Sequence, residues 1–226
     1  MSVSDGTPEA EYHRSGARYT ATPESDYVRD RLRSLHPGET ILIHDLEYTS
    51  WEGSLARRWS GEGEYRELVQ IGAVKLDWSD GLPEVASFER FSLPEFNPVL
   101  SDYFTGLTGI TNADLAREGR PFAEVIADFA AFANDSPIIA ANGDDARCLI
   151  ENCGWRGVDM PIAEDRTLNL RPLFMAHLDL PRAATVSSDL PGLFGLTMEG
   201  TAHTGLADAR AIAMALRVLW REGGLE

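Results

Sequence analysis

The sequence has 226 residues, the size of one domain, and 43% of it is apolar, enough for a sizeable core. Acids outnumber bases 36 to 20, and the formal net charge of −16 excludes a generally basic nucleic-acid-coating protein or a polybasic membrane binder, though not a compact acidic site for metal ions. Cys148 and Cys153 fit no CxxC or zinc spacing, which excludes a disulfide scaffold and makes a reducing cytoplasm the expected compartment. No apolar run approaches the ~18 residues of a membrane span and no signal-peptide core opens the chain, so no membrane partner is expected.

Residues 1 to 23 are polar, carry Gly, Ser, Pro and Glu, and read as a disordered leader. Ser25 to Leu35 reads as a short helix, with Ser25 as its cap and Tyr27, Val28, Leu32 and Leu35 on one face. His36-Pro37-Gly38 breaks it. The predicted division is a leader over 1–38, partly disordered with a short helix, and a folded domain over 39–226.

Ile41-Leu42-Ile43 starts a first strand, residues 51–66 form a Gly-rich polar excursion, and Leu68 to Leu76 is a second strand. Val85 to Phe91 follows the Asp80-Gly81 turn signal and completes an antiparallel meander. Pro121 opens an amphipathic helix with Phe122, Val125, Ile126, Phe129 and Phe132 at helical spacing. Pro137 to Ala141 is a buried fourth strand, followed by a helix from Asp144 to Cys153 with Cys148, Leu149 and Cys153 on one face. Thr167 to Leu178 is a strand end followed by a helix, Ser188 opens a short helix, and Asp208 to Trp220 is a long apolar helix ended by Gly223-Gly224. Strands first, then alternating helix and strand, imply a mixed sheet flanked by helices, α/β or α+β.

Three features carry chemistry. Asp45 and Glu47 alternate with Leu46 at the end of the first strand, so both carboxylates share a face and repel unless a cation is shared. A hard divalent ion is the natural neutraliser, although a solvated strand end is the ordinary reading of such a pair. Asp144-Asp145 follows the buried strand at a helix start, where an aspartate is also a good cap. His203 lies just before Asp208, and an imidazole beside several carboxylates suits a general base near neutral pH.

In this order, the strand-borne DxE, the later aspartate pair and the HTGLAD segment resemble the DEDDh 3′–5′ exonucleases. ILIHDLEYTS, ELVQIGAVKLD, FTGLTGIT at 104–111 and AHTGLADARAIA at 202–213 carry the likeness over roughly residues 40–222. The superfamily includes the polymerase proofreading subunit, RNase T and the ERI-type histone-mRNA exonucleases, and the last motif is most similar to the ERI-type branch. One departure from the proofreading pattern is Ala141-Asn142-Gly143-Asp144-Asp145, one residue shorter than the usual second motif. Asp145 places Cys148 and Leu149 as proofreading-type helices do; Asp144 places Leu149 and Cys153 more as ERI-type helices do. Both stay candidates, with Asp145 preferred.

The resemblance implies an RNase H-like mixed five-stranded sheet flanked by helices and makes 39–226 an exonuclease domain. It implies hydrolysis of RNA or DNA from the 3′ end by a two-metal route, with release of nucleoside 5′-monophosphates. Two Mg²⁺ or Mn²⁺ ions would be held by Asp45, Glu47, Asp208 and Asp144 or Asp145, with His203 as general base. Leu46, Tyr48, Thr49 and Leu107 would lie near the terminal nucleotide. The excursion interleaves Arg57, Arg58 and Arg66 with Trp51, Trp59 and Tyr65. That composition suits single-stranded or 3′-overhanging nucleic acid, unless Trp51 and Trp59 merely anchor the loop. The competing readings are a low-activity binding or regulatory module with the same fold, a hydrolase of very short oligonucleotides favoured by the acidic charge, and other metal chemistry.

Overall fold

The computed structural model describes residues 21–197 and 203–225. The predicted disordered leader up to residue 20 lies outside the described residues. Helix α1 spans Pro23–Arg33. Its cap is Thr22 rather than Ser25: Thr22 Oγ1 accepts from the Ser25 N–H at 3.1 Å, and Ser25 Oγ accepts from the Thr22 N–H at 2.9 Å. This reciprocal capping box satisfies two orphan donors, which a lone Ser25 cap could not do. Val28, Leu32 and Leu35 are buried in the same core cluster as Ile41 and Ile43, whereas Tyr27 is 56% exposed and off that face.

Strand β1 (Thr40–Tyr48) is followed by β2 (Leu68–Asp77) and β3 (Glu84–Phe91). Two helices that no apolar period announces, α2 (Asp102–Thr108) and α3 (Asn112–Glu118), come next. Each is only seven residues long, too short for a clear apolar period, and each is announced by its cap instead: Ser101 for α2, Thr111 with Asp114 for α3. Helix α4 (Phe122–Ala133), strand β4 (Ile138–Ala141) and helix α5 (Asp145–Arg156) follow as the periodicity predicts. Strand β5 (Thr167–Asn169), α6 (Arg171–Leu178), the short α7 (Leu190–Leu193) and α8 (Gly205–Arg221) complete the order. No helix among the described residues is long and apolar enough to cross a membrane.

The five strands form one mixed sheet in the order β3-β2-β1-β4-β5. The pairs β1–β2 and β2–β3 are antiparallel; β1–β4 and β4–β5 are parallel. Alternation along β1 separates two cores. Ile41 and Ile43 pack with α1, α6 and the apolar face of α8, while Leu42 and Leu46 pack with Phe122, Phe129, Cys148 and Leu149 of α4 and α5. Strand β4 pairs only with Ile41 to Ile43, so the last residues of β1 run past it. The carboxyl end of β1 is therefore open on that side, the position where ligands of such sheets bind.

Helix α8 lies almost backbone to backbone on β2. A Cβ on Gly72 would fall 1.9 Å from Leu206 N and 2.0 Å from the Gly205 carbonyl carbon. A Cβ on Gly205 would fall 2.7 Å from Gly72 N and 3.0 Å from Asp45 O. Both glycines are required because no side-chain atom fits between helix and sheet. Gly72→Ala forces the first turn of α8 off the sheet and costs about 3 kcal/mol or more in denaturant unfolding, at the upper end of overpacking penalties. A change below about 0.5 kcal/mol, the scale of a neutral surface substitution, contradicts that contact.

Candidate active site

Asp45 and Glu47 stand on the open end of β1 opposite Gly72 and Gln70 of β2, with a bulge just after Glu47. Asp208 stands in the first turn of α8. The ligand-type oxygens of Asp45, Glu47 and Asp208 all lie within 4.8 Å of one another. Thr204 caps α8 by accepting from the Ala207 N–H, and Gln70 Oε1 accepts the Gly205 N–H at 2.8 Å. Buried Gln70 thus fixes the helix end that carries Asp208. Neither Gln70 nor Gly72 was flagged from sequence, although a glycine inside a strand is itself a sign of close backbone approach.

Burial and mutual repulsion dominate the electrostatics. Asp45 is raised well above the carboxylate range, first by burial and then by the charges of Asp145, Glu47 and Asp208. Glu47 is pushed up to about 9 by burial, then by Asp208 and Asp145. Burial also raises Asp208, while the His203 charge and backbone N–H pull it down. His203 therefore sits beside the carboxylate cluster, and its φ of 68° places it in the left-handed region.

The aspartate pair separates into two environments. Asp145, the first residue of α5, is half-buried and turned toward the β1 pair, as its effect on Asp45 and Glu47 requires. Burial raises it to about 6 against the opposing pull of Arg171 and Arg66. Asp144 is exposed and, although it stands at the N-cap, makes no capping hydrogen bond.

Three further residues complete the site. The Ser187 hydroxyl donates to Asp45 Oδ1 at 3.0 Å. Asn142 at the end of β4 donates to the Thr185 carbonyl at 2.9 Å and so pins the loop bearing Ser187. Arg171 donates in turn to the Asn142 carbonyl oxygen, placing a half-buried guanidinium behind Asp145. These residues come from separate stretches of chain, and only the folded chain brings them together.

The residues expected around a terminal nucleotide divide. Tyr48 is half-buried next to the cluster, its ring edge-on to Trp59 at 5.4 Å and under the Arg66 guanidinium at 5.3 Å. Leu107 is 44% exposed on α2. Leu46 does not face the site: it is 5% exposed on the opposite side of β1, in the core under α4 and α5. Strand alternation dictates that outcome. Thr49 is buried, and its hydroxyl is already used, donating to the Tyr65 carbonyl and accepting from the Glu67 N–H. Arg57 is turned back into its own loop, paired with Glu64 and donating to the Glu52 carbonyl at 2.7 Å. Trp51 is half-buried at the head of the loop, Arg58 is exposed, and the Trp59 indole N–H donates to the Thr49 carbonyl at 2.9 Å.

A divalent cation fits this donor set. Asp208 Oδ1 is buried and, among the described residues, has no hydrogen-bond partner. An orphaned carboxylate oxygen beside two further carboxylates is the arrangement that a hard cation satisfies.

A family model described as "Exonuclease", of the RNase T type, matches residues 42–216. The chain belongs to this family. Among its relatives is the "3'-5' exonuclease Snipper" of Drosophila melanogaster, 25% identical over 87% of this chain and 75% of that protein. Another is the "3'-5' exoribonuclease 1" of Rattus norvegicus, 26% identical over 79% of this chain and 52% of that protein. The chain spans between 30% and 75% of the length of the first curated relatives it matches. In fold it resembles the nuclease domain of 3′hExo, a DEDDh family member solved bound to rAMP, with a TM-score of 0.71 at 23% identity over 82% of this chain and 93% of that one. The five-stranded mixed sheet expected from the resemblance is the one found.

The raised carboxyls give a signed pH dependence. Folded, metal-free protein holds protons that unfolded protein releases, so stability falls as pH rises from about 4.5 toward the Glu47 value of about 9. His44 acts oppositely: burial lowers it from 6.5 to about 4, so its contribution rises over that lower range. Between pH 6.5 and 9 the carboxylates act without it. Urea unfolding of chelator-treated protein therefore shows falling stability over that window, and saturating Mg²⁺ or Mn²⁺ removes most of the fall. Stability that is flat or rising in the metal-free protein contradicts the crowded-carboxylate description.

Proposed function

We propose that this chain is a 3′–5′ exonuclease that hydrolyses the terminal phosphodiester of RNA or DNA and releases nucleoside 5′-monophosphates. The observation that carries the reading is the meeting of Asp45, Glu47 and Asp208 within 4.8 Å around a buried, unpartnered carboxylate oxygen. Membership of the exonuclease family and the names of the relatives support it.

Asp45, Glu47 and Asp208 would hold one divalent ion, and Asp45 with Asp145 a second, Mg²⁺ or Mn²⁺ in either case. Bound there, the ions supply positive charge against the phosphate and lower the cost of its transition state. The chain's own groups do the rest. Ser187 fixes one Asp45 oxygen and leaves the other free to face the site. His203, on the loop entering α8, accepts the proton of the attacking water. Tyr48, held by Trp59 and Arg66, and Leu107 on α2 border the place of the terminal nucleotide. Asp144 is exposed, whereas Asp145 is half-buried and its charge acts on Asp45 and Glu47, which favours Asp145 as the ligand. A second reading, a hydrolase of very short oligonucleotides, is favoured by the net charge of −16, which repels a long polyanion at a distance.

Asp45→Asn, near in shape but unable to carry the charge, lowers exonuclease activity by about a thousandfold or more, a loss of over 4 kcal/mol of transition-state stabilisation, while the fold is kept. The measurement is release of nucleoside monophosphates from a 3′-labelled single strand with Mg²⁺ or Mn²⁺. Undiminished activity in this variant removes the carboxylate cluster from the mechanism. His203→Ala retains metal binding but lowers kcat by about a hundredfold or more, the scale of a lost general base. An unaltered kcat removes His203 from the role of base.

A further inference from the structure

An open cleft of about 830 Å³ is lined by Arg58, Trp59, Arg66, Arg147, Trp155 and Arg182, and it meets the site through Asp144, the chain neighbour of Asp145, and through Arg66, which lies over Tyr48. It draws on three separate stretches of chain: the 51–66 excursion, the outer face of α5, and the turn after α6. On a chain with a net charge of −16, this wall carries four arginines against three acids, Glu64, Asp144 and Glu151. Glu151 pairs with Arg66 at 2.8 Å and with Arg147 at 3.2 Å. Arg58 and Arg182 have no ion-pair partner among the described residues.

The aromatic side chains follow the same line. Tyr48 at the site meets Trp59 edge-on, and Arg66 lies over both rings at 5.3 and 5.4 Å. At the far end Trp155, 37% exposed, stands edge-on to Tyr65 at 5.6 Å, and Tyr65 stacks on Phe96 at 4.6 Å. Cationic and aromatic groups alternating along one groove match a flexible polyanion carrying unpaired bases.

We propose that this cleft is the track on which the single strand behind the 3′ nucleotide lies, with Arg58, Arg147 and Arg182 against its phosphates and Trp59 and Trp155 against its bases. The proposal rests on the exonuclease reading for its direction, since it places the 3′ end at the carboxylates. It corrects the expected contacts: Arg57 is outside the track, while α5 and the turn at Arg182 supply residues that the sequence of the excursion did not suggest. It also answers the acidic net charge, because the strand meets a locally basic wall at close range.

Binding is read by fluorescence anisotropy of a labelled single-stranded oligonucleotide on the full chain carrying Asp45→Asn, so that cleavage does not intervene. Adding Trp155→Ala weakens Kd about tenfold, within the range for loss of one stacked base. Adding Arg182→Ala weakens Kd and lowers the slope of log Kd against log salt by about 0.7, and Arg182→Lys restores the slope. Thermal unfolding checks that these exposed substitutions leave the fold intact. An unchanged Kd and salt slope in a combined Arg58→Ala, Arg147→Ala, Arg182→Ala variant overturns the track, as does a blunt duplex that competes equally well. Wild-type protein that binds through the cleft but hydrolyses nothing contradicts the exonuclease reading and leaves the track standing.

Discussion

Three carboxylates held within 4.8 Å of one another, largely out of water, are the arrangement on which the rest of the structure depends. Like charges at that separation oppose folding, and the chain lowers the penalty only by holding protons, which raises Asp45, Glu47 and Asp208 together. A fold gains nothing in stability from such a cluster. A divalent cation shared by the three carboxylates would offset that repulsion, and the buried, unpartnered Asp208 Oδ1 points the same way.

The backbone is shaped to deliver that crowding. The carboxyl end of β1 runs past β4, so Asp45 and Glu47 face an opening rather than a neighbouring strand. The Gly72–Gly205 contact lets α8 lie on the sheet with no side chain between them, and Gln70 fixes the helix end. Arg171, Asn142 and Ser187 link β4, α6 and the following turn back to Asp45. Sheet register, a glycine pair and one hydrogen-bonded loop thus converge on the same small site, which is why the acidic residues can be distant in sequence and adjacent in space.

Periodicity made the sheet legible: β4 is a continuous apolar run, β2 is apolar along most of its length, and α4 repeats its aromatics at helical spacing. Alternation placed Asp45 and Glu47 on one face correctly, and the same rule, followed to its end, puts Leu46 in the core rather than beside a nucleotide. The short helices α2 and α3 left no apolar period to find, only caps. The pattern favours Asp145 over Asp144 without excluding either, because one residue of helix phase decides which of them turns inward. Ser187, Arg171 and the cleft-lining Arg182 carry no local motif. Their roles arise from tertiary proximity, and the hydrogen bond from Thr49 to the Tyr65 carbonyl is likewise invisible until the excursion closes.

The excursion itself shows how one loop serves both structure and function. Trp59 anchors it through its indole N–H and also faces the cleft, so the anchoring and nucleic-acid readings of this loop are compatible rather than exclusive. The central claim, however, is the cation. Crystals soaked with Mn²⁺ and a nucleoside 5′-monophosphate test it most directly through anomalous scattering. The account predicts a peak at about 2.2 Å from carboxylate oxygens of Asp45, Glu47 and Asp208. An empty cluster under saturating Mn²⁺, or a peak held elsewhere by other side chains, contradicts it.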